Sequence, residues 1–154
     1  LYMGDTQKIK QCMSACLIGV PCRYSGKSKV YQKSCDIYLK GETLAICPEI
    51  MEGLPTPRPA CEIVGGNGSD VLHGMAKIVD KDGNDYSEIF ILGAKKTMEV
   101  VQKYDVKKVY LKSGSPSCGA QLIYDGTFSG NKKPGNGVFA ALLKENGIEV
   151  IELD

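Results

Sequence analysis

No apolar run in this sequence is long enough to cross a bilayer, and no basic stretch followed by a hydrophobic one stands near its start. Neither a membrane span nor a secretory signal is expected on that pattern, and the chain is expected in the cytoplasm. Neither sign of charge is in excess. Nineteen Lys and Arg face eighteen Asp and Glu, and a net charge of +1 is too small for binding driven by a long-range phosphate field. There is one histidine, His73, away from every cysteine-bearing loop, and it is expected to be a surface or turn residue rather than a catalytic one. The GGNG run at 65–68 lacks the spacing of a dinucleotide fingerprint, with Val71 beyond it. No internal repeat or low-complexity segment occurs.

What is present suits a globular fold. The 154 residues are 43% apolar and 24% charged, so one domain over 8–154 is expected, with 1–7 set aside as a disordered start or cloning remnant. A chain of this length buries roughly 70% of its unfolded surface, so it needs neither disulfides nor metal merely to hold together. A cofactor would therefore be functional. Seven cysteines, at 12, 16, 22, 35, 47, 61 and 118, are an odd number and cannot all pair within the chain. In a reducing compartment such thiols are fillers, metal ligands or nucleophiles.

The pattern along the chain predicts strands at 8–15, 43–46, 106–112 and 148–153, with a short strand excursion at 74–79. Helices are predicted at 30–39, 87–103 and 137–146. The clearest is 87–103, where Phe90, Ala94, Thr97, Val101 and Tyr104 recur at spacings of 4, 3, 4 and 3, with Asp85 and Glu88 as cap and partner. Gly147 is its counterpart stop after the last helix. Residues 53–59 read as a rigid extended loop and 125–135 as a mobile Gly and Lys loop. The alternation implies an α/β fold: a three-layer domain with a mostly parallel sheet, Rossmann-like, with ligands at the carboxyl ends of the strands. Three strands there end in a loop bearing Cys16, Cys47 or Cys118.

Cys12, Cys35 and Cys61, in or beside predicted elements, read as buried fillers. Cys16, Cys47 and Cys118 sit in Gly- and Pro-bearing loops that can wrap a ligand, and Cys22 lies in the loop of Cys16. Structural zinc takes closely spaced cysteine pairs, which are missing here. Position 19, where a radical-type cluster motif starting at Cys12 and Cys16 needs a third cysteine, is Gly19. Three thiolates from three strand ends are still compatible with a cubane cluster that leaves one iron open to a sulfur ligand.

The run ACLIGVPCRY at 15–24 with Gly26, CPE at 47–49 with Gly53, Leu54 and PRP at 57–59, and SPSCG at 115–119 closely resemble the thiouracil desulfurase family. The resemblance extends to YDG at 124–126 and the glycine-led last helix, nearly the whole chain. It implies an enzyme that removes sulfur from a thiolated uracil by non-redox hydrolysis on a [4Fe-4S] cluster held by three cysteines. The ligands implied are Cys16, Cys47 and Cys118, with Cys22 an alternative to Cys47. Glu49 becomes the general acid and base, Ser115 or Ser117 a substrate orienter or proton relay, and Arg58 and Ser113 substrate contacts. Arg58 reads equally as a structural ion pair, and Arg23 and Tyr24 as support around the cysteines. The substrate is expected to be a small thiopyrimidine, with a thiolated nucleoside or tRNA as larger forms. Two rival readings stand beside this one: a cluster-free persulfide carrier at Cys118, its pKa lowered by backbone donors, and a non-catalytic uracil or RNA-binding module.

Overall fold

The computed structural model describes residues 8–28 and 30–153; the start set aside at 1–7 lies outside them. Four parallel strands form the central sheet: β1 (Gln11–Ser14), β2 (Thr43–Ile46), β5 (Lys108–Lys112) and β8 (Glu149–Leu153), in the order β2-β1-β5-β8. The register pairs Cys12 with Leu44 and Val109, and Val109 with Val150. Their short apolar runs suit strands covered on both faces, which is how a parallel sheet is built. Helices α1 (Gln32–Tyr38), α4 (Ser87–Lys103) and α5 (Val138–Glu145) flank this sheet, the mixed α/β arrangement expected.

Helix α4 occupies the predicted residues, and the stripe Phe90, Ala94, Thr97 and Val101 is buried. Each large side chain buried this way contributes about 1.5–3 kcal/mol of transfer free energy. Its cap differs from the expected one. Tyr86 takes the N-cap position, Asp85 instead accepts the Ser87 amide at 2.8 Å, and the Ser87 hydroxyl accepts the Ile78 amide at 2.9 Å. The serine is thereby used to tie the helix to a neighbouring strand.

The middle of the chain holds more structure than its pattern shows. An antiparallel pair, β3 (Cys61–Val64) and β4 (Lys77–Asp80), encloses α3 (Gly68–Leu72), which Asn67 and Asp70 close with a reciprocal capping box. A one-turn helix, α2 (Pro48–Met51), follows Cys47 where only a loop was expected. Proline ends β2 but also suits the first position of a helix, since its missing N–H is unpaired there anyway. Helix α4 packs on this turn at Gly93, where a β-carbon would lie 2.2 Å from the Pro48 carbonyl oxygen. The expected mobile loop at 125–135 is an ordered hairpin of β6 (Leu122–Tyr124) and β7 (Lys132–Pro134). Asp125, Thr127, Ser129 and Asn131 hydrogen-bond one another across its tip. No helix among the described residues is long and apolar enough to cross a membrane.

Candidate active site

Strands β2, β1 and β5 are neighbours, and each ends in one cysteine-bearing segment. Because the three are parallel, their carboxyl ends open on the same edge, where a parallel sheet binds ligands. Cys16 lies in the 3₁₀ turn Ala15–Leu17, with its carbonyl held by the Gly19 amide at 3.3 Å and the Ser28 hydroxyl at 3.0 Å. Cys47 is the N-cap residue of α2, and its carbonyl accepts the Met51 amide. Cys118 is fixed by α5. That helix has no side-chain cap; its first amides, Val138, Phe139 and Ala140, donate instead to the carbonyls of Pro116 and Ser117. The helix start thus uses its orphan donors to clamp the SPSC loop. Gly137 allows the close approach, since a β-carbon there would lie 2.5 Å from the Ser117 carbonyl.

A cavity of about 350 Å³ collects Cys16, Cys22, Cys47 and Cys118 with Glu49. Cys22 is buried and packs in one cluster with Cys16 and Cys47. The thiols act on one another. Cys22 is pushed up to about 11, chiefly by its hydrogen bond with Cys16 and by burial. Cys47 is driven far up by its bond to Cys22, by burial and by the Cys22 charge, and Cys118 by burial and the charge of Cys47. Like charges crowded in a low-dielectric space make the thiolates costly, and a bound cation reverses that cost.

Glu49 is built into this wall with directional bonds. Its Oε1 accepts from Arg58 Nε at 3.2 Å and Nη2 at 3.0 Å. Arg58 Nη1 donates to the Pro55 carbonyl and the Thr56 hydroxyl, both at 3.1 Å, and Nη2 to the Cys22 carbonyl at 2.9 Å. All five guanidinium N–H groups are therefore engaged within the protein. The Arg58 amide also donates to the Tyr24 carbonyl at 2.7 Å, so one residue staples the Cys22 loop to the catalytic candidate. On the other side, the Ser115 hydroxyl donates to Glu49 Oε2 at 3.3 Å while accepting the Ser117 and Cys118 amides, each at 3.0 Å.

Ser113 lines the cavity and accepts from Lys112 Nζ at 3.3 Å. Ser117 is buried and does not line it. Cys12 and Cys35 lie off the cavity, whereas Cys61, read as a filler, forms part of its wall with its sulfur directed to the Pro59 carbonyl. His73 sits on the surface against Glu145 at 3.1 Å. Sequence reading missed the part played by four residues. Ser14 and Glu62 line the cavity unremarked, and Tyr124 and Lys132 bring the hairpin to its rim. Glu62 Oε1 holds the hairpin tip through the Gly126 amide at 2.9 Å and the Phe128 amide at 3.2 Å. The YDG run at 124–126 is the visible trace of that contact.

The family model of 2-thiouracil desulfurase matches residues 12–154, all three cysteine segments included. The chain belongs to the 2-thiouracil desulfurase family. Among relatives of this chain is YbbK of Bacillus subtilis (strain 168), described as uncharacterised, 45% identical over 139 residues that span 90% of this chain and 92% of YbbK. Among solved structures, the [4Fe-4S]-dependent thiouracil desulfidase TudS superposes with a TM-score of 0.82 at 38% identity, covering 94% of this chain and 90% of TudS. The chain thus shares its fold with a [4Fe-4S]-dependent thiouracil desulfidase, and its family is named for 2-thiouracil desulfuration.

Proposed function

We propose that the chain hydrolyses a thiolated uracil to the oxo-pyrimidine and hydrogen sulfide, with Cys16, Cys47 and Cys118 holding a [4Fe-4S] cluster. The observation that carries this reading is the convergence of those three cysteines, from the ends of three adjacent parallel strands, on a cavity walled by one pinned carboxylate. The donor set fits such a group. Among the described residues no three His, Cys, Asp or Glu come close enough to share one metal ion, which zinc would require. A cubane takes each thiolate on a different iron and so needs wider spacing. When bound, the cluster supplies a Lewis acid for the thiocarbonyl sulfur, which makes the attached carbon electrophilic.

The chain supplies the rest. Arg58 occupies Glu49 Oε1 and leaves Oε2 as the working oxygen. From there the carboxylate accepts a proton from the water that adds to the thiocarbonyl carbon and returns it to the departing sulfur. Oxygen enters, the carbon–sulfur bond breaks, and both water hydrogens leave with the sulfide. Ser115 aligns Oε2 with the Cys118 loop, because two amides occupy its lone pairs and direct its proton to Glu49. With its donors engaged, Arg58 acts by positioning Glu49; Ser113 and the hairpin rim at Tyr124 are left to meet the pyrimidine. The substrate is the small base or its riboside. A net charge of +1 argues against the long-range attraction that a tRNA's phosphates would draw on.

The persulfide alternative requires an exposed thiol of depressed pKa, and Cys118 is buried and pushed upward. The test is anaerobic purification followed by sulfide release from thiouracil. Brown protein with iron, acid-labile sulfide and turnover is the expected result. Glu49→Gln should keep the iron and lose roughly a hundredfold to ten-thousandfold in rate. Colourless, iron-free protein, or a Gln variant of undiminished rate, overturns the scheme.

A further inference from the structure

The parallel ladder between β1 and β5 runs from Gln11 with Lys108 to Met13 with Tyr110 and stops there. On either side the sheet continues: β1 stays with β2 through Ser14, and β5 stays with β8 through Lys112. The split falls at Ser14, whose hydroxyl oxygen accepts the Lys112 amide at 3.0 Å in place of a backbone carbonyl. Ser14 is 3% exposed and lines the cavity. A serine hydroxyl that accepts an amide still has one proton to place. Cys118 lines the same cavity, so the hydroxyl proton is available to a sulfur there.

We propose that Ser14 is a positioning residue which donates a hydrogen bond to the Cys118 sulfur and withdraws electron density from that ligand. The inference rests on the cluster reading above and adds to it the group that tunes one thiolate. Hydrogen bonds to ligand sulfurs make a cluster easier to reduce, and outer partners of metal ligands commonly matter ten- to a hundredfold. A less donating Cys118 leaves the cluster a stronger acceptor for the thiocarbonyl sulfur. The Lys112 amide fixes where the hydroxyl oxygen sits, so the bond is pre-aimed by the sheet.

The experiment compares wild type, Ser14→Ala and Ser14→Thr as loaded proteins, by iron and sulfide content, reduction midpoint in a mediated titration, and steady-state desulfuration. Ser14→Ala should load iron, titrate at a more negative midpoint, and lose roughly tenfold in kcat with KM little changed. Ser14→Thr keeps the hydroxyl and should return both readouts to wild type. A loaded Ala variant with the wild-type midpoint overturns the proposal, because loss of the Lys112 contact alone moves stability and not potential. If Ala fails to load, a Thr variant loaded at the wild-type midpoint sustains it and an empty Thr variant overturns it. Wild type without iron overturns the cluster reading itself.

Discussion

Replacing Arg58 with methionine keeps much of the side-chain volume and removes every donor the guanidinium provides. In the folded chain Arg58 is 4% and Glu49 15% exposed at the side chain, so the carboxylate left behind stays out of water without a cation. Breaking a buried pair from one side costs about 3–5 kcal/mol, since the remaining charge is uncompensated. The carbonyls of Cys22 and Pro55 lose a donor as well. Against a typical stability of about 5–15 kcal/mol this is a large fraction, and at about 2–4 °C per kcal/mol it lowers Tm by roughly 10 °C. The assay is urea unfolding of iron-free, reduced protein under anaerobic conditions. Adding Glu49→Gln removes the orphaned charge, so the double variant should recover about 2 kcal/mol and the two changes should be far from additive. An Arg58→Met protein within 1 kcal/mol of wild type, or strict additivity with Glu49→Gln, would refute the staple.

Alanine at Cys16, Cys47 or Cys118 should abolish or cripple iron loading. Alanine at Cys12, Cys35 or Cys61 should leave it intact, and a fully loaded Cys47→Ala protein would promote Cys22 to the second ligand. Cys12, buried in β1, is pushed up to about 12 from an ordinary 9.0 by burial. A raised folded pKa gives stability that is complete below pH 9 and lost as pH rises, because the unfolded chain ionises first. The stability gap between wild type and Cys12→Ala should therefore shrink by about 1.4 kcal/mol from pH 7 to pH 10; a constant gap would refute it. Gly93→Ala should gain helix propensity yet press on the Pro48 carbonyl, for a net loss of about 1–2 kcal/mol and weaker iron retention through the displaced Cys47 and Glu49. Unfolding and iron-release rates together check that.

The alternation of short apolar runs with a 3.6-period stripe determined the α/β class, the parallel sheet and helix 87–103 to the residue, because local propensity and burial agree there. The strand ends at Cys16, Cys47 and Cys118 were legible for the same reason, and parallel pairing of neighbouring strands then leaves them on one edge. The short elements were not. The one-turn helix at Pro48–Met51 and the pair β3–β4 depend on packing partners distant in sequence, such as Gly93 over Pro48, and a four-residue segment carries too little periodicity to declare itself.

The site divides along the same line. Which residues carry sulfur and carboxylate chemistry follows from residue type and motif. What each group does with its hydrogen bonds follows only from the fold. Arg58 lies nine positions from Glu49 and thirty-six from Cys22, and only tertiary structure brings both to one guanidinium and exhausts its five donors. Ser14 is one small polar residue in a buried strand until Lys112, ninety-eight positions away, occupies its oxygen and leaves its proton for the cysteine-lined cavity. Hydrogen bonds are directional and saturable, so the role of a polar group is decided by which partners reach it first, and that is a property of three dimensions.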